Sequence, residues 1–402
     1  MNTEVAIVGG GLVGGSLAVA LADAGLSVTL IDPGVDTVEP GADSGNAVSN
    51  SGAGQPDAPF DTRVFALRPG SRDFLDKCGV WRHVDESRVA PVYKMAITGD
   101  DGDSRLTFDA YQCGLLELAL IVENGNLQKA IQKALDARTL VRQVRGRTCV
   151  AATWEAGDVT ISLDDGEAIS PELLVAADGA NSRLRDFAGI GNRLSGYDQC
   201  AVVANFSTSV AHDGTAYQWF RTDGVLALLP LPGNCVSMVW STADEHAREL
   251  VALDPGELAA RVSQASATVL GELTSAGQAA AFPLRLMRAA SIVGPRLALV
   301  GDAAHNVHPL SGQGLNLGLA DAQSLAETIA LRGPAGIGSR AVLAKYRRSR
   351  AEETAAMQFT TDGLYRLFDS SAPGIPWIRN AGLRLTEQLT PFKRLLVKHA
   401  AG

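Results

Sequence analysis

Cysteine is scarce in this sequence, and no two cysteines stand close together. The five cysteines occur singly, with no C-x-x-C pair. An odd count at wide spacing suits neither a zinc site nor a disulfide framework. We therefore expect a protein of the reducing cytoplasm. Its unpaired thiols are those of Cys78, Cys113, Cys149, Cys200 and Cys235.

Long apolar runs without helix breakers are also missing. Residues 5–22 carry no charge, but five glycines lie among them, and glycine is costly inside a helix. Residues 224–243 are likewise uncharged, yet Pro230 and Pro232 divide them into two short strands. The N-terminus lacks the basic region of a signal peptide. These absences argue against a transmembrane segment and against export.

Positive charge is in deficit, and the usual signs of acyl-transfer chemistry are absent. The net charge of −9 argues against nucleic acid as a partner. No G-x-S-x-G motif or Ser-His-Asp set stands in a usable context. What is abundant is glycine, with 42 residues, beside 46% apolar and 20% charged residues. This profile is typical of a soluble α/β enzyme with two or three domain-sized units.

The first 32 residues carry the most specific pattern in the chain. An apolar strand leads directly into Gly9-x-Gly11-x-x-Gly14, which opens a helix. Gly9 permits a tight turn, Gly11 lets the backbone approach a pyrophosphate, and Gly14 allows close packing of helix on strand. Asp32 ends the next strand, where a carboxylate can bind ribose hydroxyls. The pattern predicts a βαβ unit that binds a dinucleotide.

Two later strands also end in short polar turns. The strand at 173–177 ends in Asp178-Gly179, and the strand at 297–300 ends in Gly301-Asp302. We therefore predict one parallel sheet assembled from distant segments. Strand-like runs within 200–242 have the spacing of an antiparallel sheet, which would be inserted into the first unit.

The stretch "LALVGDAAHNVHPLSGQGLNLGLAD" allows two kinds of ligand. His305 and His308 beside Asp302 have a spacing that metal sites use, but no third imidazole or cysteine is near. The glycines of the same stretch would let the backbone approach a cofactor. A third interpretation is that His305 is packed or hydrogen-bonded in the core.

The three motifs together resemble the class A flavin-dependent aromatic hydroxylases. The stretch "HPLSGQGLNLGLAD" is similar to the signature of the ubiquinone-biosynthesis hydroxylases, which act on polyprenylated phenols. The resemblance implies a Rossmann-type FAD-binding domain of the para-hydroxybenzoate hydroxylase type, an inserted antiparallel-sheet substrate domain and C-terminal helices. The ranges are 1–75, 120–185 and 290–340 for FAD, 76–119 and 186–289 for substrate, and 341–402 for the helices.

The resemblance also implies roles for individual residues. No metal is expected, because the glycine-rich stretch would hold the flavin ring. Gln313, Pro309 and Ser311 would lie beside the ring at the reacting edge. Asp32 stands where glutamate is more common, and Ser311 where alanine or glycine is expected. The implied FAD-binding residues are Gly9, Gly11, Leu12, Gly14, Asp32, Arg63, Asn126, Asp178, Gly179, Gly301, Asp302, Gly312, Gly314, Leu315 and Asn316.

The implied reaction is a ring hydroxylation. NAD(P)H would reduce FAD, O2 would add at flavin C4a as a hydroperoxide, and a polyprenylated phenol would attack it. The sequence has one dinucleotide fingerprint, so NAD(P)H is expected to bind transiently across the flavin. A hydroxylase of small phenols, an isoprenoid-acting flavin reductase and a flavin-binding scaffold remain alternatives. We expect about a third of a set of apolar residues to touch substrate: Trp219, Phe220, Leu226, Leu228, Leu229, Met238 and Trp240.

The C-terminal segment is basic in an otherwise acidic protein. Arg379, Arg384, Lys393, Arg394 and Lys398 face a single acid, Glu387, in residues 377–402. One interpretation is a surface for the inner membrane or for other quinone-biosynthesis proteins. The interpretation we favour is a terminal helix packed on the core, with a solvated basic face.

Overall fold

The computed structural model describes residues 3–34, 59–155, 157–306 and 314–352, with residue 380, residues 384–387 and residue 393. The strands in chain order are β1 (Val5–Val8), β2 (Val28–Asp32), β3 (Val64–Leu67), β4 (Ala90–Val92), β5 (Lys94–Thr98), β6 (Arg105–Asp109), β7 (Ala119–Glu123), β8 (Val141–Arg145), β9 (Cys149–Glu155), β10 (Asp158–Leu163), β11 (Ala168–Ile169), β12 (Leu173–Ala176), β13 (Asn192–Thr208), β14 (Thr215–Arg221), β15 (Gly224–Leu231), β16 (Cys235–Ala243), β17 (Leu273–Ser275), β18 (Ala280–Ala289), β19 (Val293–Gly294), β20 (Leu297–Leu299) and β21 (His305–Asn306). The helices are α1 (Leu12–Asp23), α2 (Pro69–Lys77), α3 (Ala110–Cys113), α4 (Asn124–Asp136), α5 (Arg183–Phe187), α6 (Asp244–Ala252), α7 (Pro255–Ala265) and α8 (Gly314–Ala330), and residues 340–352 are also helical.

A parallel sheet collects the three strands that end in motifs. Its order is β19-β20-β12-β1-β2-β8, and all neighbours are parallel except β19 and β20. The strands β20, β12 and β1 are therefore adjacent, although β1 and β20 lie almost 300 residues apart in sequence. Because parallel strands end at the same edge, the three polar turns meet there. The prediction of one sheet built from distant segments is confirmed.

Alternate residues of the parallel sheet enter two separate cores. Val5 and Ile7 of β1 pack with apolar side chains of α1, α4 and α8. Ala6 and Val8 pack instead with Val159 and other residues of the three-stranded sheet β11-β10-β9. Strands buried on both faces must be apolar throughout, which explains the continuous runs VAIV and LLVA. This arrangement gives three layers: helices, parallel sheet and small antiparallel sheet.

A larger mixed sheet, separate from the parallel sheet, forms the second part of the fold. Its order is β21-β18-β13-β16-β15-β14-β5-β6, with β17 paired to β13. The strands from β13 to β16 are antiparallel, as the spacing within 200–242 predicts. The hairpin β5–β6 extends this sheet by a parallel pairing of β5 with β14. The exact ranges proposed for the FAD-binding and substrate domains stay a prediction.

The two faces of the mixed sheet have different neighbours. One face is closed by α6 and α7, which supply Leu250 and Val262 to a core that holds five of the seven predicted pocket residues: Trp219, Leu226, Leu228, Met238 and Trp240. Phe220 and Leu229 alternate with these side chains and point to the other face. Most of the predicted pocket residues are therefore ordinary core.

The described part of the C-terminal segment docks on the hairpin β5–β6 and the loop between its strands. Arg384 donates to Ser104 Oγ at 2.8 Å and pairs with Asp101 at 3.0 Å. Glu387 accepts from the Thr107 amide at 2.8 Å and pairs with Lys393 at 3.0 Å. Two of the basic side chains, Arg384 and Lys393, therefore form ion pairs within the protein. Among the helices that the structure describes, none has the length and apolarity needed to cross a bilayer.

Candidate functional site

Gly9 and Gly14 stand where strand, helix and turn come closest. A Cβ on Gly9 would lie 2.1 Å from the carbonyl oxygen of Ala177, in the turn that follows β12. A Cβ on Gly14 would lie 2.0 Å from the carbonyl oxygen of Gly9. Gly9 also has φ +106°, a conformation that favours glycine. These two glycines let α1 and the two strand ends pack against each other.

Gly11 has a different role, because no atom of the described protein crowds it. A Cβ there would have no neighbour within 4 Å, and the residue is exposed. Gly11 caps α1 without a side-chain hydrogen bond, and the first turn, which begins at Leu12, contains no acid. The amide groups of this turn are free to bind an anion, and the helix dipole favours one. The cradle fits a pyrophosphate.

Asp32 lies directly against the glycine turn. Its Oδ2 accepts from the Gly10 amide at 2.5 Å, and its Oδ1 accepts from the Gly34 amide at 2.7 Å. The carboxylate is half-buried and holds the turn after β1 to the end of β2. This is the position from which a carboxylate can reach the ribose of a bound dinucleotide.

One buried oxygen of the Asp178 carboxylate accepts no hydrogen bond from the described residues. Its Oδ2 accepts from the Leu184 amide at 3.2 Å, whereas Oδ1 has no partner among the described residues. Burial raises the pKa of this carboxyl, although Ser182 and nearby amides oppose the rise. Gly179 follows with φ +82° and turns the chain. A buried acceptor without a partner fits a ligand that donates a hydrogen bond.

Asp302 is the counterpart of Asp178 at the end of β20. Its side chain is exposed to solvent, yet the surrounding protein raises the pKa of the carboxyl through desolvation. The charges of Arg63 and His305 oppose this rise, so both lie near it. Arg63 is itself exposed, with its guanidinium over the Phe65 ring at 5.3 Å. The pair can offer one acceptor and one cation to a polar ligand.

Asn316 fixes the start of α8, which begins at Gly314. Its Oδ1 accepts from the Arg68 amide at 2.9 Å, and its Nδ2 donates to the Ala66 carbonyl at 2.8 Å. The side chain is fully buried in these contacts, and Leu315 beside it is also buried. The Asn316 side chain is therefore engaged within the protein, and the role of Leu315 and Asn316 at a flavin ring stays a prediction.

Arg185 joins the two polar turns, and sequence reasoning missed it. Its buried guanidinium donates to the Ala180 carbonyl at 3.1 Å and to the Ala303 carbonyl at 3.2 Å. These carbonyls follow Asp178-Gly179 and Gly301-Asp302, so one side chain spans both turns. The neighbouring Arg183 is exposed and stacks on Phe187. Nothing in the sequence distinguishes the two arginines.

Among the remaining predicted residues, Asn126 lies on α4, whose first residue Asn124 donates its amide to the Arg63 carbonyl at 3.0 Å. The Asn126 amide accepts from the Asp85 amide and donates to the Asp85 carbonyl, both at 2.9 Å. Its role at a ribityl chain stays a prediction. The residues His308, Pro309, Ser311, Gly312 and Gln313 lie outside the described residues.

A pH-dependent test follows from Asp178. Because the folded state raises the pKa of Asp178, ionising this carboxyl destabilises the fold. The penalty is absent below the unfolded-state pKa, grows as pH rises toward the folded-state pKa and is complete above it. We expect Asp178→Asn apoprotein to be more stable than the parent at pH 7. The difference should shrink as pH falls toward 4, measured by urea unfolding. A stability difference between parent and variant that is the same at both pH values would contradict a raised pKa for Asp178.

A large cleft lies away from the strand ends. An open, polar cleft of about 1160 Å³ lies between β9, β10 and residues 336–340, lined by Glu155, Asp158 and Arg340 among others. None of the motif residues lines it. We therefore assign the cofactor to the strand ends.

The sequence comparisons agree with this geometry. The FAD binding domain family matches residues 59–360. The 3-demethoxyubiquinol 3-hydroxylase of Escherichia coli is 35% identical over 402 residues, covering 100% of this chain and 98% of that protein. Ubiquinone hydroxylase UbiL of Rhodospirillum rubrum is 35% identical, covering 99% of this chain and 89% of that protein.

The fold comparison agrees as well. The crystal structure of PqsL, a probable FAD-dependent monooxygenase from Pseudomonas aeruginosa, superposes with a TM-score of 0.76 at 21% identity, covering 95% of this chain and 99% of that chain. At this identity the match concerns the fold alone. The family match and the whole-length relatives show that the chain belongs to the FAD-dependent monooxygenases, within the family of ubiquinone-biosynthesis hydroxylases.

Proposed function

We propose that this protein hydroxylates the ring of a polyprenylated phenol in ubiquinone biosynthesis, with NAD(P)H and O2 as co-substrates. The observation that carries the proposal is the meeting of three glycine- and aspartate-bearing strand ends at one sheet edge. Its support is the similarity, over almost the whole chain, to hydroxylases whose names specify ubiquinone or demethoxyubiquinol. When bound, the flavin supplies reduction by NAD(P)H and activation of O2.

Different residues of the chain would bind different parts of FAD. The Gly11 turn would bind the pyrophosphate, and Asp32 the adenosine ribose. Asp302 and Arg63 would contact the ribityl and phosphate region. The first amides of α8 would meet the ring, where the helix dipole favours negative charge.

The face of the mixed sheet opposite α6 and α7 supports an aromatic, lipid-like substrate. In register across four strands lie Val203, Val239, Ala227 and Gln218, on the face opposite α6 and α7. Asn205, two residues further along β13 on the same face, donates to the carbonyls of Phe60 and Asp61. This face therefore looks toward the segment that leads to Arg63. Small apolar side chains can accept a ring and exclude water, and the buried Gln218 amide adds one polar group.

The decisive experiment is turnover of the holoenzyme with defined substrates. Protein with bound FAD is incubated with NADH or NADPH and a short-chain polyprenylphenol, and product mass and coupled oxygen uptake are measured. We expect substrate to stimulate NAD(P)H oxidation at least about tenfold and one oxygen atom to enter the ring. A matched phenol without the prenyl chain is the control.

The alternatives predict different outcomes of the same experiment. Equal stimulation by the unprenylated phenol indicates a small-phenol hydroxylase. Reduction of a prenyl double bond without oxygen incorporation indicates an isoprenoid reductase. FAD retention without substrate-stimulated reduction indicates a scaffold. Any of these results would contradict the proposed function.

The proposed contact with a membrane or with other quinone-biosynthesis proteins has less support. Of the basic C-terminal side chains, Arg384 and Lys393 pair with Asp101 and Glu387. The charges of Arg379, Arg394 and Lys398 lie outside the described residues. We favour the packed interpretation for the segment as far as the structure describes it.

A further inference from the structure

Three charged side chains are almost completely buried beside the proposed flavin site. His305, Asp321 and Arg350 are exposed by 3%, 0% and 3%, respectively. Removing charges from water is costly unless they are paired in good geometry. The function proposed above uses none of them.

One carboxylate connects four parts of the chain. Asp321, on α8, accepts from Arg350 Nε at 2.7 Å and from the Gly301 amide at 3.0 Å. His305 Nε2 lies 2.7 Å from Asp321 Oδ2 as an ion pair, without the alignment of a good hydrogen bond. Arg350, in the helical residues 340–352, also donates to the Leu317 carbonyl at 3.3 Å. The cluster thus joins the turn after β20, β21, α8 and the next helix.

The cluster sets the distance between two flavin-binding elements. Gly301 precedes Asp302, and Asp321 lies two turns along the helix that begins at Gly314. A Cβ on Gly318 would lie 3.1 Å from Gly301 Cα, so the helix lies against the strand end with no space between them. The bond from the Gly301 amide to Asp321 holds this contact in place.

The electrostatic balance favours a protonated imidazole. Burial lowers the pKa of His305, but the adjacent Asp321 raises it more, so the pKa of the imidazole is raised from its ordinary value. Arg350 opposes protonation, and Asp302 favours it. Other charged or titratable groups near the cluster are Tyr346 beside Asp321, Arg185 on Ala303 and Arg63 near Asp302, and the exposed Arg288 is the backbone partner of His305 in β18. With His305 protonated, the three side chains of the cluster carry two positive charges and one negative charge, and Asp302 is a second carboxylate close by.

We propose that the His305–Asp321–Arg350 cluster is a positioning device that fixes Asp302 against α8, and that FAD binds more tightly when His305 is protonated. The inference rests on the FAD site proposed above. FAD carries negative phosphates, so a nearby buried cation favours binding. By linkage, a ligand that favours the protonated form loses affinity as pH rises through the pKa of that group.

The test is the dissociation constant of FAD for the apoprotein between pH 6 and 9, by flavin fluorescence quenching. For the parent protein we expect affinity to fall about tenfold across this range, the equivalent of one pKa unit. His305→Gln should bind about tenfold more weakly at pH 6.5 and show no pH dependence over the range. Arg350→Lys keeps the charge and should keep the pH dependence.

The matched control is His212→Gln. His212 contacts the carbonyls of Leu231 and Gly233 at the far end of the mixed sheet, away from the cluster. This variant should bind FAD with the parental affinity and pH profile. A parental pH profile in His305→Gln would overturn the inference.

The experiment also distinguishes failure of this inference from failure of the proposed function. If the parent protein binds no FAD, the proposed site itself fails. If it binds FAD with an affinity independent of pH, only the role of His305 fails, even where His305→Gln does not fold. Far-UV circular dichroism and thermal unfolding of each apoprotein variant identify loss of folding.

Discussion

Replacement of Gly11 by alanine is expected to weaken FAD binding by at least about tenfold, or 1.4 kcal/mol, and to leave the apoprotein as stable as the parent. The residue has φ −64°, which alanine adopts freely, and its Cβ would meet no protein atom within 4 Å. The added methyl group would instead occupy the space where the backbone must approach the pyrophosphate. Urea unfolding of the apoprotein and titration with FAD measure the two effects separately.

The matched variant is Gly9→Ala, in the same turn. Its Cβ would lie 2.1 Å from the Ala177 carbonyl oxygen at φ +106°, so the two strand ends would have to separate. We expect a loss of about 3 kcal/mol or more in the free energy of unfolding. Parental FAD affinity in Gly11→Ala would contradict the assignment of this turn to the phosphates.

Replacement of Glu123 by glutamine is expected to lower the free energy of unfolding by about 3 kcal/mol. Glu123 is 2% exposed and binds both Arg88 Nε and Nη2 at 2.7 Å. It also accepts from the Asp61 amide at 2.6 Å, while Arg88 donates to the Pro59 carbonyl. Breaking a buried pair leaves a charge without its partner, and here it also releases the segment that leads to Arg63.

An exposed pair that is also bidentate provides the control for Glu123→Gln. Arg142 binds Glu167 through two hydrogen bonds of 2.7 and 2.9 Å, with side chains 53% and 33% exposed. Glu167→Gln should cost less than about 1 kcal/mol, because solvent screens exposed pairs. Thermal or urea unfolding measures both variants. Equal losses in the two variants would show that burial of Glu123 contributes nothing.

Much of the fold was predictable because its signals are local. The strand VAIV, the glycine turn and the apolar helix follow one another within the first 23 residues, and each obeys a short-range rule. The turns at Asp178 and Asp302 follow buried strands, so their meeting at one edge follows from parallel pairing alone. Strands β14, β15 and β16 can be predicted from the sequence, because each is a short apolar run between turn residues.

The remaining features depend on long-range contacts that leave no local trace. Asp321 lies on an ordinary helix, and only its contacts with His305 and Arg350 reveal its role. Arg185 resembles Arg183 in sequence, yet one is buried and the other exposed. The period of a strand shows which side chains share a face, but it does not show which face α6 and α7 cover. Five of the seven apolar residues considered for the pocket lie in the covered core, as expected for most of them, and whether the other two touch substrate stays a prediction.

The central claim is that three strand ends of one sheet hold a single FAD. A crystal structure of the protein with FAD tests it most directly. The account predicts pyrophosphate oxygens within about 3 Å of the main-chain amides around Gly11, and a ribityl hydroxyl at the same distance from Asp302. FAD held elsewhere, for example in the polar cleft beside Glu155 and Arg340, would contradict the account.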